Sequence, residues 1–304
     1  MGVIPPGTTG SELTPPGGVR LPPGSFQVCQ SYHRRISVEA VSLDESNRSH
    51  DAKGRSSVDS QLVEQVRRYW DVDAATYDRD PGHYPVSPLE RAAWRGALES
   101  LLPMVPASVL DVGAGTGFLS LMVSELGHHV TAVDLSSGML GRLRTKAEEA
   151  GLKVEIVEAE AASVPPGPFD AVISRHLLWT LPEPMSALRA WHDVTPHGRL
   201  VLVERLWGDP SSVERIRRWT GQGLARARGT APAHHASYAP ELRAALPLAR
   251  GASLESLLQL VSTSGWPSPR IRELTDVGWA ARRGLPWPER ALSDAPEFAL
   301  VAGT

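Results

Sequence analysis

Three glycines at alternate positions, Gly113, Gly115 and Gly117, follow directly on the apolar run Val109-Leu110-Asp111-Val112. Asp134 closes the next apolar run, and Glu160 follows the one after that. Glycine takes positive φ and brings the backbone close to a ligand, having no Cβ to collide with it. Free N–H groups of such a turn, at the start of a helix, favour an anionic group such as a carboxylate. An acid at the end of the second strand of a doubly wound sheet faces the ligand crevice, where it can accept two ribose hydroxyls. Glu160 would line an adenine edge there. Ser174-Arg175-His176 ends a further apolar run and adds polar groups on the same side. The chemistry these residues suit is the holding of a nucleotide-like cofactor.

The elements that must position them read as alternating strands and helices. Strands are predicted at Ser108–Val112, His129–Val133, Lys153–Val157, Phe169–Ser174 and Leu200–Glu204. Helices are predicted at Thr116–Leu126, Ser137–Ala150 and about Pro184–Val194, with Gly127 and Gly151 as stops. This β-α-β order predicts a parallel sheet covered on both faces, and the Val, Ile and Leu content of the strands agrees. Upstream, Asp59 reads as the N-cap of a helix carrying Leu62, Val63, Val66, Tyr69 and Trp70. A short segment, Asp73–Tyr77, and a loop at Pro81–Pro85 precede a helix from Pro88 to Leu102. After Glu204 the rhythm breaks. A basic helix over 211–229, an insertion at 230–247 and a helix over Ala252–Ser264 lead to two late strands, Arg270–Leu274 and Phe298–Val301.

The chain has 304 residues, 41% of them hydrophobic and 21% charged, with a net charge of −3. That balance gives no global basic excess for nucleic acid, and no apolar run approaches the ~20 residues of a membrane span. A single cysteine, Cys29, rules out an internal disulfide and a thiolate metal cluster. A reducing cytoplasm is the expected compartment. Residues 1–57, rich in Pro, Gly and Ser, are read as a disordered tail, or as a start set too far upstream with Val58 near the true beginning. Residues 58–304 form the domain: lid helices at 58–107, a cofactor-binding core at 108–206, an acceptor-side cap at 207–268 and final strands at 269–304.

Taken in order, these motifs resemble the class I S-adenosylmethionine-dependent methyltransferases of the widespread small-molecule type. The first motif is Val109–Gly117, the second Val133–Ser136 with Met139, and the third Glu158–Pro165. Phe169–Ile173 and Pro196–Leu200 match the fourth and fifth strands. Tyr69-Trp70-Asp71 with Ala74–Asp78 is similar to the family's N-terminal helix, whose tyrosine closes over the cofactor. The resemblance implies an α/β, Rossmann-like doubly wound sheet of seven strands, the last antiparallel, with S-adenosyl-L-methionine at the carboxyl ends. It implies a cofactor site of Tyr77, Asp111, Gly113, Ala114, Gly115, Gly117, Asp134, Leu135, Met139, Glu160, Ala161, Ser174 and Arg175. Gly-Asp-Ala, usual in the third motif, is here Ala159-Glu160-Ala161, and no catalytic histidine carries over.

A small-molecule acceptor is expected, methylated on O, N or C by a monomer or homodimer, with no nucleic acid, membrane or metal involved. Methyl transfer from a sulfonium is an in-line displacement, so positioning supplies most of the effect. A base is needed mainly for a hydroxyl or protonated amine acceptor. His176, Glu204 and His83 are the candidate bases. Tyr84, Trp179, His234, His235 and Tyr238 are the candidate acceptor contacts, and Trp207 a further pocket candidate. Two other functions share the glycine turn and acid: an NAD(P)-dependent oxidoreductase, and a non-methylating S-adenosylmethionine binder such as a cyclase or regulatory subunit.

Overall fold

Strand β1 (Ser108–Val112) is the centre from which the sheet is built in both directions. The computed structural model describes residues 52–80, 82–85, 87–205, 220, 238–249, 251–284, 287 and 297–304. On one side β1 pairs in parallel with β2 (His129–Asp134), which pairs with β3 (Val154–Glu158). On the other it pairs with β4 (Ala171–Arg175), followed by β5 (Arg199–Arg205). The strand order is β3-β2-β1-β4-β5-β7-β6, with β6 spanning Arg270–Glu273 and β7 spanning Glu297–Gly303. β7 runs antiparallel to both neighbours, so the seven-stranded sheet ends as the family resemblance implies. The chain leaves β1 in one direction and later returns to β4 in the other. This reversal opens a crevice above the carboxyl ends of β1 and β4.

Helices α1 (Ala52–Asp73), α2 (Pro88–Leu101), α3 (Phe118–Glu125), α4 (Ser137–Ala150) and α5 (Pro184–Asp193) flank the crevice half. Two of them start on serine caps. Ser87 Oγ accepts from Glu90 N at 3.1 Å, with Pro88 at the first position, and Ser136 Oγ accepts from Met139 N at 3.1 Å. One face of the sheet packs Val109, Ile173 and Val201 against Trp94, Leu98 and Phe118. The other packs Leu110, Val172 and Leu200 against Leu188, Trp191 and Trp266. Both faces are covered, which is why the strands read as unbroken apolar runs.

Several local expectations shift. Helix α1 begins at Ala52, so Asp59 lies inside the helix rather than capping it. Helix α3 begins at Phe118, two residues late, because Gly117 takes a left-handed conformation at its N-cap. The segment after α1 is a 3-10 turn at Tyr77–Arg79. A short helix α6 (Pro240–Ala245) lies within the expected insertion, α7 spans Leu254–Thr263, and the segment between the late strands contains α8 (Thr275–Gly284). The basic stretch 211–229 lies outside the described residues except for Thr220, which is helical, and so do Trp207, His234 and His235.

Candidate cofactor and active site

The crevice holds a cavity of about 340 Å³, within the ~300–1,000 Å³ range of small-molecule sites. Its floor is the turn after β1. Gly113 and Gly115 line it, with positive φ of 71° and 56°. A side chain on Gly113 would run into Leu177, whereas one on Gly115 would meet nothing within 4 Å and would fill the cavity instead. Four of the turn's N–H groups are already bonded within the fold, contrary to the expectation that they are free for an anion. Gly113 and Ala114 donate to Val133 O at 2.8 and 3.0 Å, and Gly117 to Ala114 O at 2.9 Å. Gly115 donates to Asp134 Oδ2 at 2.8 Å. The turn is tied to the end of β2, and it offers a ligand close backbone approach rather than a nest of donors.

Asp134 supplies the polar function. Its Oδ1 accepts from Ser136 N at 2.9 Å. Burial pushes its carboxyl above the usual carboxylate range, against the pull of the Ser136, Gly115 and Leu135 backbone groups. A carboxylate has roughly four acceptor sites, so lone-pair capacity remains toward the cavity. Leu135 and Met139 continue this wall, and Ala159, Glu160 and Ala161 form the next. Trp191 Nε1 donates to Ala161 O at 2.6 Å and fixes that loop against α5.

The third wall comes from the end of β4. Arg175 is 8% exposed and lies with its guanidinium 4.1 Å from the Phe118 ring centroid. It donates to Gly82 O at 2.8 Å and to Glu297 Oε1 at 3.3 Å, linking the loop before α2 to β7. His176 follows with φ of +54°, a conformation uncommon outside glycine. The roof is α1 and the turn after it. Val63, Val66 and Trp70 face the cavity, and so does Tyr77, whose hydroxyl burial pushes up to about 12. Two acids hold this roof down. Asp71 Oδ1 accepts from Ser136 Oγ at 2.6 Å and Gly138 N at 3.1 Å. Asp78 accepts from Thr116 Oγ1 at 2.6 Å and pairs with Lys146 at 2.8 Å.

Of the expected cofactor contacts, Tyr77, Gly113, Gly115, Asp134, Leu135, Met139, Glu160, Ala161 and Arg175 line the cavity. Asp111, Ala114, Gly117 and Ser174 lie behind its wall. Asp111 is buried and accepts from Ser120 Oγ at 2.5 Å, with burial pushing its carboxyl up to about 7. Ala114 is buried against α4, and a side chain on Gly117 would strike Leu143. Ser174 Oγ donates to Val112 O at 2.7 Å, bracing β4 to β1.

Of the acceptor and base candidates among the described residues, His176 alone lines the cavity. Tyr84 does not. It packs toward Phe118, under Lys146 at 4.8 Å, and accepts from Arg91 at 3.2 Å. Trp179 and Tyr238 stand behind Trp70, in an aromatic cluster with Tyr69. His83 stacks flat on Tyr77 at 3.9 Å and backs the roof. Glu204 is buried at the end of β5 and does not line the cavity, and burial pushes its carboxyl up to about 8. Sequence reasoning did not place the α1 residues Val63 and Val66 in the site, nor Glu183 and Ser186 at the start of α5. The helical spacing of Val63, Val66 and Trp70 was the available signal.

A methyltransferase-domain family profile matches residues 109–198. The ubiquinone biosynthesis O-methyltransferase of Albidiferax ferrireducens is 32% identical over 157 residues, which are 50% of this chain and 59% of that protein. Its namesake in Bordetella parapertussis is 32% identical over 163 residues, 51% of this chain and 65% of the relative. The chain thus spans about three-fifths of the length of the curated relatives it matches. Phosphoethanolamine N-methyltransferase 2 of Haemonchus contortus, solved with phosphomonomethylethanolamine and S-adenosylhomocysteine, shares the fold with a TM-score of 0.54 at 15% identity. That match covers 79% of this chain and 60% of the other. Residues 109–198 thus match a methyltransferase domain, and the sheet carries the fold of the class I S-adenosylmethionine-dependent methyltransferases. S-adenosylmethionine is the cofactor of that class, and the relatives do not favour the oxidoreductase or non-methylating readings.

Proposed function

We propose that the chain transfers a methyl group from S-adenosylmethionine to an O, N or C atom of a small-molecule acceptor by in-line displacement. The observation that carries this is the cavity at the strand-order reversal, floored by Gly113 and Gly115 and roofed by Trp70 and Tyr77. The cofactor supplies an already activated methyl group. The chain's part is to orient it and keep water out. In this reading Asp134 takes the ribose hydroxyls, Glu160 and Ala161 flank the adenine, and the glycine turn lies along the amino-acid part. The roof excludes water, and most of the rate then comes from holding the acceptor in line. His176 serves as the base where the acceptor is a hydroxyl, since it alone of the three candidates faces the cavity.

No described helix is long and apolar enough to cross a membrane. A cytoplasmic monomer or homodimer completes the proposal. Calorimetric titration with S-adenosylmethionine, S-adenosylhomocysteine and NAD tests it, followed by a tritiated-methyl transfer screen over metabolite fractions. Heat with the two sulfur ligands and none with NAD is expected. Silence with both sulfur ligands would overturn the reading, and binding without any methylated product would favour a non-methylating role.

A further inference from the structure

Arg175 carries the only fixed positive charge among the described residues that line the cavity, against the acids Asp134, Glu160 and Glu183. We propose, resting on the cofactor reading above, that its guanidinium receives the carboxylate of the cofactor's amino-acid part. Glu297, on β7, is the positioning residue that aims it. An anion at the glycine turn finds four donors already spent. Gly113, Ala114, Gly115 and Gly117 give their N–H groups to Val133 O, the Asp134 carboxylate and Ala114 O. A carboxylate lying along that turn needs its donor from another element.

Arg175 ends β4, the parallel partner of β1, so it stands beside the turn that β1 feeds. Its guanidinium lies 4.1 Å from the ring centroid of Phe118, the first residue after that turn. Asp134 and Glu160 stand at the end of β2 and just after β3, on the far side of β1. A carboxylate is repelled from that side and drawn to Arg175. A guanidinium carries N–H donors on all of its nitrogens. Both bonds of Arg175 leave from Nη2, to Gly82 O at 2.8 Å and Glu297 Oε1 at 3.3 Å. Its Nε is buried with no partner among the described residues. Unmet donors on a buried cation are costly, and a ligand carboxylate meets charge and donors together. Glu297 does not line the cavity, and the two side chains are 6% and 8% exposed. Their 3.3 Å contact is longer than the ~2.7–2.9 Å of a full charge-assisted bond. It orients the guanidinium and leaves it able to take a second anion.

The test is calorimetry on the full chain with S-adenosylhomocysteine, its analogue lacking only the carboxylate, and methylthioadenosine, which lacks the whole amino-acid part. The wild type should bind S-adenosylhomocysteine at least about 10-fold tighter than the carboxylate-free analogue. Arg175→Lys keeps the charge and loses the fork. Arg175→Met combined with Glu297→Gln removes both charges, so no buried carboxylate is left unpaired. In that double variant S-adenosylhomocysteine should lose about 10- to 100-fold in affinity, while the other two ligands keep theirs. Arg175→Lys should fall between. Glu297→Gln alone should weaken S-adenosylhomocysteine by about 3-fold or more, again without touching the other two. Equal losses for all three ligands would overturn the proposal, since Arg175 would then only brace the loop at Gly82 to β7. Unchanged affinity for S-adenosylhomocysteine in the double variant would overturn it as well. Unchanged affinity in Glu297→Gln alone would overturn the positioning role. A wild-type chain that binds none of the three ligands would overturn the cofactor reading itself. If the double variant does not fold, Arg175→Lys decides alone.

Discussion

Asp71 Oδ1 lies 2.6 Å from Ser136 Oγ, so a residue of the roof helix is bonded to the N-cap of α4. Ser136 is also the residue whose N–H binds the Asp134 carboxylate at 2.9 Å. The roof and the carboxylate at the end of β2 are thereby tied through one serine. A second bond, Gly138 N to Asp71 Oδ1 at 3.1 Å, puts the carboxylate at the start of α4, where a negative charge is favoured. Gly138 leaves room for this, since a side chain there would press on the Asp71 backbone.

Asp71→Ala should therefore loosen the roof more than the core. Losing a charge-assisted pair of this kind costs on the order of 1–2 kcal/mol. Dissociation of S-adenosylhomocysteine should speed up about 10-fold, read in stopped flow from the fluorescence of Trp70 at the roof. Asp71→Asn, which keeps an accepting oxygen, should sit between the two. Identical release rates in all three proteins would show that the roof is held by its apolar contacts alone.

Removing the acid at the end of β2 tests the ribose assignment directly. Asp134→Ala should weaken S-adenosylmethionine binding by at least ~1–3 kcal/mol, or about 10- to 100-fold in Kd. It also frees Gly115 N–H and Ser136 N–H, so part of the loss will come through the turn. Asp134→Asn separates the two effects, because its amide oxygen can still accept from one of those donors. Unchanged affinity in both variants would mean that the ribose lies elsewhere.

The sheet, its switch point and most of the cavity wall were legible because one physical pattern wrote them together. Buried parallel strands need long apolar runs, and the residue that ends each run points into the crevice. That rule found Asp134 and Arg175. Glu204 also ends a strand, yet it is buried and does not line the cavity, since the rule records where a strand ends and not which way its last side chain turns. The turn's donors were misjudged for a related reason. Composition shows a tight glycine turn but not that Val133 O and Asp134 already satisfy it. Tyr84 was assigned by its nearness to the lid in sequence, whereas Arg91, Phe118 and Lys146 hold it against α2, α3 and α4, away from the cavity lining. Such choices depend on partners far along the chain, which no local spacing records.

Two glycines of the same turn should respond differently to a methyl group. Both have positive φ, 56° at Gly115 and 93° at Gly117, so alanine is strained at either by roughly 1 kcal/mol or more. At Gly117 the new methyl also runs into Leu143, which is fully buried. Gly117→Ala should therefore lower Tm markedly. At Gly115 nothing stands within 4 Å, and the methyl would enter the cavity. Gly115→Ala should cost less in Tm and more in cofactor affinity. Equal losses of Tm with equal affinities would contradict this division of the turn into a packed and an open half.

The pH dependence of stability isolates Asp111. Burial raises its folded-state pKa to about 7, while Ser120 pulls the other way. Unfolded, the same group titrates near ~3.9. Between those values the folded chain keeps a proton that the unfolded chain releases, so stability falls as pH rises, by at most about 1.4 kcal/mol per unit. The loss levels off above about pH 7. Asp111→Asn has nearly the same shape, cannot ionise and can still bond Ser120. Its Tm relative to the wild type should climb from pH 5 to 7 and then stay level. Parallel Tm curves across that range would show that Asp111 remains ionised in the fold, with Ser120 compensating for its burial.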